Sequence, residues 1–355
     1  MAASHQKISF AVIGVGLIGP RHARTVIQNP ETTLVAIVDP APAGRELATE
    51  LNVAHYASVD DLVQSPHPPE AAIVCTPNHT HVKITKQLAS HGLHPLIEKP
   101  ISSDLPSGLD LLDHLKQTGV KALVGHHRRF NPYIYAAKSS LDAGSVGKII
   151  AVNGVWALYK PDEYFEGPGA WRKGKDGGVI LINMIHEVDI LHYLLGPIVR
   201  VHAEKTMSER GHEAEEGAAL TLRFKSGVVG SFLISDNTPS PFNFEAGTGE
   251  NPLIPQTRGT FYQVFGANGT LSVPDMALWT YEDKKSWHSN MATHTIDVGK
   301  GVPFEMQLSH FCQYIRGEVA PSCTPQAGLA ALIVCDAIKQ SLESNTTVDI
   351  PEYEL

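Results

Sequence analysis

Cysteine is scarce in this chain of 355 residues: there are four, Cys75, Cys312, Cys323 and Cys335, two of them inside apolar stretches. A disulfide framework is therefore not expected, and a reducing compartment is. No apolar run is long enough to span a bilayer, and Met1 to Lys7 is short and polar with no signal-peptide pattern, so the cytoplasm is the expected location. Basic excess is missing as well. The 28 Lys and Arg are outnumbered by 37 Asp and Glu, a formal charge of -9, which argues against nucleic acid or an anionic membrane as partner and for a small molecule. Long polar tracts and internal repeats are also lacking. With 43% hydrophobic and 18% charged residues the chain reads as ordered throughout, and its length is that of two domains.

What is present begins with an alternation of apolar segments. Strands are expected at Ile8 to Ile13, Leu34 to Val38, Ala71 to Cys75, Pro95 to Ile97 and Lys121 to Val124. Helical spacing separates them after Gly19, from His79 to Ser90 and from Leu105 to Thr118. Such βαβ order predicts an α/β fold with a doubly wound parallel sheet. After Gly125 the pattern changes to longer β-branched runs, at Lys148 to Leu158, Val199 to Lys205, Ala218 to Phe224, Val228 to Ser235, Gly259 to Phe265, Thr270 to Val273 and Ala277 to Tyr281. These predict a large, open, mainly antiparallel sheet, with a hairpin at Lys225-Ser226-Gly227. Helices are expected at Met184 to Leu195, Pro303 to Arg316 and Gln326 to Ser344, and a long loop from Thr238 to Arg258. The expected domains are 1–125 and 126–355, the last helices of the second being able to pack back on the first.

Gly14-Val15-Gly16-Leu17-Ile18-Gly19 follows the first strand directly and opens a helix, the context that a G-x-G-x-x-G match requires. Gly14 permits the tight turn, Gly16 a close approach of a pyrophosphate, and Gly19 close packing of helix on strand, with the amides from Leu17 and Ile18 onward facing the phosphates. Asp39 ends the second strand twenty residues after Gly19, where an acid can accept from ribose hydroxyls and repel a 2′-phosphate. NAD is thus favoured over NADP, although Arg45 is near enough in sequence to serve a phosphate. The plain alternative is an ordinary glycine turn with Asp39 as a helix cap.

Cys75-Thr76-Pro77-Asn78-His79-Thr80-His81 at the end of one strand and Glu98-Lys99-Pro100 at the end of the next resemble the Gfo/Idh/MocA oxidoreductases, and the resemblance covers nearly the whole chain. It implies a Rossmann domain followed by an α/β domain with an open sheet. It also implies that Thr76, Pro77 and Asn78 lie against the cofactor, that His79 caps the next helix, and that His81, Glu98 and Lys99 belong to the same cofactor-binding set. Lys99 matches the lysine that handles the proton accompanying hydride transfer, a role chemistry also supports, since oxidising an alcohol requires a base at the hydroxyl. The second family signature reads here from Gly177-Gly178 to His186 and Asp189, and His186 matches the catalytic histidine. The family's acid falls four residues before that histidine, where this chain has Ile182. Asn183 is close to the same helical face and can orient a substrate hydroxyl, but an amide is no base.

Further candidates surround these motifs. The resemblance places Trp171-Arg172 near substrate, with Tyr159 and Lys160 close by, and Arg128 or Arg129 is set to hold a substrate oxygen. A tryptophan in the core, a salt-bridged arginine and a hydrogen-bonded core histidine are the plain alternatives for Trp171, Arg128 and His186. Cys75, His79 and His81 do not make a metal site, because four ligands in paired spacings are wanted and no Cys-x-x-Cys occurs. The expected function is NAD-dependent oxidation or reduction at a secondary alcohol or ketone of a sugar, inositol-like polyol or related cyclic substrate. A redox-neutral glycosidase that holds NAD tightly and a non-catalytic NAD-binding regulator are the rivals. An open sheet face needs covering, so a homodimer or homotetramer is expected.

Overall fold

Six short aliphatic strands build the first sheet of the computed structural model, which describes residues 6–175 and 177–351. They are β1 (Ile8–Ile13), β2 (Thr32–Val38), β3 (Ala54–Tyr56), β4 (Ala71–Val74), β5 (His94–Ile97) and β6 (Leu123–Val124), all parallel in the order β3-β2-β1-β4-β5-β6. Helices α1 (Gly19–Gln28), α2 (Pro42–Leu51), α3 (Val59–Val63), α4 (His81–Ser90) and α5 (Leu105–Thr118) connect them. Both faces of the sheet are covered, as a parallel sheet requires. Phe10 and Val12 of β1 pack with Val26, Ile37 and Ile73 on one side, and Ala11 and Ile13 pack with Leu62, Val74 and Leu88 on the other. Local signals set the helix ends: Asp104 accepts from Ser107 N at the start of α5, and Gly119 at φ +70° closes it. The stretch holding α2, β3 and α3 escaped the apolar pattern because β3 is a half-exposed edge strand of three residues.

The second sheet has nine strands: β7 (Ile149–Ala157), β8 (Ile198–Lys205), β9 (Gly217–Phe224), β10 (Val229–Ser235), β11 (Tyr262–Gly266), β12 (Gly269–Val273), β13 (Ala277–Tyr281), β14 (Met291–Thr295) and β15 (Val348–Asp349). Their order is β14-β13-β12-β11-β7-β10-β9-β8-β15. The β9–β10 hairpin lies where its turn residues put it. One pair departs from the antiparallel expectation, since β10 runs parallel to β7. Residue patterns report which face of a strand is buried and not the direction of its neighbour; that direction follows from the crossover through α7 and the β8–β9 pair. Helices α6 (Pro132–Asp142), α7 (Ile185–Leu195) and α8 (Phe244–Thr248) belong with this sheet, α8 lying within the expected long loop. Phe224, Phe232, Trp156 and Tyr262 are buried on its inner face.

Helices α9 (Pro303–Arg316) and α10 (Pro325–Ser344) complete the chain. Leu308, Phe311 and Cys312 of α9 join the core around Phe10, and Arg316 pairs with Glu31 at 2.6 Å. One compact unit accordingly takes in the residues up to Phe130 together with Gly301–Leu332, and the other Asn131–Lys300 with the residues from Ile333 on. Among the described residues no helix is long and apolar enough to cross a membrane.

Candidate functional site

The glycine turn is held by contacts that leave no room for side chains at two of its three glycines. Gly14 sits at φ +90°, its N–H donates to Val38 O at 2.8 Å, and a Cβ there would lie 2.8 Å from the backbone of Cys75. At Gly19 a Cβ would lie 2.1 Å from Gly14 O, so glycine is what lets α1 start this close to the turn. Gly16 is different: nothing lies within 4 Å of its would-be Cβ, and it is exposed. Helix α1 begins with no side-chain cap and no acid in its first turn. These features fit a dinucleotide, whose pyrophosphate needs an open glycine backbone and uncapped helix amides. Leu17 and Ile18 lie between, Leu17 almost fully exposed.

Asp39, at the end of β2, accepts from Val15 N through Oδ2 and from Ala41 N through Oδ1, both at 2.8 Å. The carboxylate thus pins the glycine turn and the chain entering α2 together, although the N-cap residue of α2 is Ala41 and not Asp39. Each oxygen keeps a lone pair for a ribose hydroxyl. Arg45 lines a cavity of about 680 Å³ beside it, together with Glu46, Thr49 and His55.

The loops after β4 and β5 are joined by one buried ring. His81 is 1% exposed, and its Nε2 and Nδ1 each lie 2.8 Å from a carbonyl oxygen, of Thr76 and of Pro100 respectively. Burial pushes His81 below its ordinary value, the Lys99 charge adds to that, and the two carbonyls and Glu98 oppose it. His81 therefore holds the two loops in place instead of facing outward as a cofactor contact. His79 does not cap the helix: it lies exposed in a 3₁₀ turn, Asn78–Thr80, and α4 begins after Thr80. Pro77 and Asn78 are exposed at this turn, and Thr80 Oγ1 donates to Thr76 Oγ1 at 2.6 Å.

Glu98 is buried and lies 2.7 Å from His22 Nε2 on α1. Burial alone would raise its pKa, but the hydrogen bond and charge of His22, then the charges of His127 and Lys99, bring it down to about 2. It accepts from Lys99 N at 3.2 Å, so the ionised carboxylate supports the backbone of the half-buried lysine. The His22 partner was not found from sequence, because 76 residues separate it from Glu98. Arg128 and Arg129 are both buried, and Arg129 donates to the carbonyl of Ser322.

In the second unit, His186 lies on α7 and Asn183 in the turn before it. That turn, Ile180–Met184, is π-helical, so the α-helical face expected to relate Asn183 to His186 does not apply. Glu215 accepts from Ile180 N at 2.9 Å, and a Cβ on Gly178, at φ +89°, would strike its carboxylate. Burial pushes the Glu215 carboxyl up, with the Ile180 N–H opposing. Asn183 Oδ1 accepts from Lys160 Nζ at 2.6 Å. Lys160 is 6% exposed and pairs with Asp236 at 3.2 Å, and Arg210 holds the same carboxylate at 2.7 Å. Desolvation lowers the Lys160 pKa, with Asp236 opposing. Tyr164 lies against two cations, its ring centroid 5.0 Å from Lys160 Nζ and 4.1 Å from the Arg172 guanidinium, and Arg172 donates to Tyr164 O at 2.8 Å. Trp171 is half exposed and therefore not a core residue. No local pattern marks Asp236, Arg210 or Glu215; the sheet brings them in from distant positions.

Two family models cover the chain: an oxidoreductase family NAD-binding Rossmann fold matches residues 8–126 and the corresponding C-terminal alpha/beta domain matches residues 138–350. An inositol 2-dehydrogenase of Rhizobium meliloti is 28% identical over 97% of this chain and 99% of that relative. A scyllo-inositol 2-dehydrogenase (NAD(+)) of Bacillus subtilis is 27% identical over 90% and 89%. The WlbA dehydrogenase of Bordetella pertussis, solved with NADH and UDP-GlcNAcA, shares the fold at a TM-score of 0.78 and 22% identity, covering 98% of this chain and 100% of that one. With both of its domains matched and a glycine turn shaped for the dinucleotide, the chain belongs to the Gfo/Idh/MocA family and is an NAD-dependent oxidoreductase.

Proposed function

We propose that this chain oxidises a secondary alcohol, or reduces the corresponding ketone, on a sugar, inositol-like polyol or related cyclic substrate. One observation carries the reading: the glycine turn touches Thr76, His81 ties Thr76 to Pro100, and Pro100 directly follows Lys99, so the dinucleotide turn and the amine are mechanically continuous. Bound NAD supplies the hydride acceptor in oxidation and, reduced, the donor. Lys99 takes the hydroxyl proton in one direction and returns it to the ketone oxygen in the other. His186 shares that proton handling, and Asn183 holds a neighbouring substrate oxygen. The inositol dehydrogenases among the relatives support a polyhydroxylated ring as substrate.

Lys99→Ala is expected to keep NAD binding, measured by calorimetry, and to lose turnover by about 10²-fold or more on a panel of sugars and polyols. Full turnover in that variant would remove Lys99 from the chemistry. Product formed without net change in reduced nicotinamide would favour the redox-neutral rival, and no turnover with NAD still bound the regulator. We further propose a cytoplasmic homodimer or homotetramer joined through the open sheet. All four cysteines are buried and none forms a disulfide, which supports a reducing compartment, and Val229, Leu233 and Phe265 are exposed on the outer sheet face, which supports assembly.

A further inference from the structure

An amide side chain can present either its oxygen or its nitrogen to a ligand, and which one it presents decides what the ligand must be. At Asn183 the neighbour settles the question. A lysine ammonium has donors only, so the 2.6 Å contact from Lys160 Nζ requires Asn183 Oδ1 on that side. That contact fixes the amide's orientation: Lys160 takes one lone pair of Oδ1, and the amide nitrogen on the other side has two hydrogens to give. Lys160 cannot turn away easily, since Asp236 Oδ2 holds its ammonium at 3.2 Å, its N–H donates to Asp236 O at 2.9 Å, and its carbonyl accepts from Arg210 at 2.8 Å.

The ammonium has three hydrogens. One goes to Asn183 and one to Asp236, which leaves a third. The carboxylates near it are already engaged: Asp236 with Arg210 at 2.7 Å, and Glu245 with Trp156 Nε1 at 2.7 Å. The Arg172 guanidinium lies against the same Tyr164 ring as Lys160 and adds positive charge. Where a carboxylate at this turn would accept from a substrate hydroxyl, the pair found here gives hydrogens and carries positive charge.

We propose that Lys160 and Asn183 form a specificity site for a substrate carboxylate, so that the preferred substrate is a polyhydroxy acid of the uronic or aldonic type and not the neutral polyol. Lys160 supplies the charge and one N–H, and Asn183 supplies Nδ2–H to the second oxygen, a charge-assisted pair of hydrogen bonds. The proposal rests on the reading that Asn183 contacts substrate, and it is narrower than that reading.

The test separates the two. Binding of d-glucuronate, d-galacturonate and d-gluconate, and of d-glucose, d-galactose and myo-inositol, is measured by calorimetry on the NAD-loaded protein, with turnover followed in parallel. The acids should bind about tenfold or more tightly than their neutral counterparts, and Lys160→Gln should collapse that ratio toward one. Asn183→Asp, which replaces the donating amide with a further carboxylate at the site, should reverse it; this variant keeps the test intact should Lys160→Gln fail to fold. Neutral compounds binding as well as the acids to the natural protein, or a ratio unmoved by both variants, overturns the carboxylate site even if the neutral polyols are turned over. Acid-selective binding with no turnover of any compound leaves the carboxylate site standing and sinks the redox reading instead.

Discussion

Glu98 shows how much one residue depends on a distant partner. Its pKa of about 2 lies below the ordinary 4.5, so the unfolded chain binds the extra proton first as pH falls. The stability it contributes is complete above about pH 4.5 and is lost as pH falls through about 2. Glu98→Gln should therefore be on the order of 3 kcal/mol less stable than the natural protein at pH 7 in urea titrations, a gap that narrows toward zero at the acid end. A gap constant with pH would mean that His22 and Glu98 are coupled by shape alone. The motif containing Glu98 and Lys99 was legible in sequence because its residues are consecutive. Lys160 was placed near substrate by the resemblance, but its partners Asp236 and Arg210 were not legible, because these ion pairs join positions that only the sheet and its loops bring together.

At the scale of elements, the three glycines of the first turn predict three different outcomes. Gly16→Ala meets no atom within 4 Å, so its stability should stay within about 0.5 kcal/mol of the natural protein while NAD affinity drops, the methyl occupying space reserved for the pyrophosphate. Gly19→Ala drives a methyl against Gly14 O and should cost about 2 kcal/mol or more of thermal stability with or without cofactor. Equal stability losses at both positions would contradict this division of labour, and Gly14→Ala adds backbone strain of about 1 kcal/mol or more at its positive φ. Helices α5 and α9 and strands β1 and β13 have the bounds that periodicity and end signals predict. The π-helical turn at Ile180–Met184 was illegible, since its apolar residues fit an α-helix equally well and Glu215, which pins its first amide, comes from another loop.

For the whole molecule, the outer face of the nine-stranded sheet is the feature with the widest consequence. Val229, Leu233 and Phe265 are exposed there, beside a polar row in which Ser231 Oγ donates to Asn153 Oδ1 at 3.0 Å and Asn153 Nδ2 to Gln263 Oε1 at 3.3 Å. A face of this kind, apolar but lined with ordered polar groups, is suited to pairing with a copy of itself. The chain should run in light scattering at two or four times its own mass, and Leu233→Lys combined with Phe265→Lys should reduce it to one. A natural protein already monomeric at micromolar concentration would refute the assembly.

The sequence by itself determined the order of elements, the parallel character of the first sheet, the glycine turn with its acid, and the Glu98-Lys99-Pro100 turn, because each is written in residues that are neighbours along the chain. Tertiary structure alone decided that α9 completes the first unit, that β10 runs parallel to β7, that His81 clamps two loops, and that Lys160 donates to Asn183 Oδ1. The physical reason is the same in each case: a buried polar group takes whichever partner the packed chain delivers, and that partner carries no mark in the local sequence.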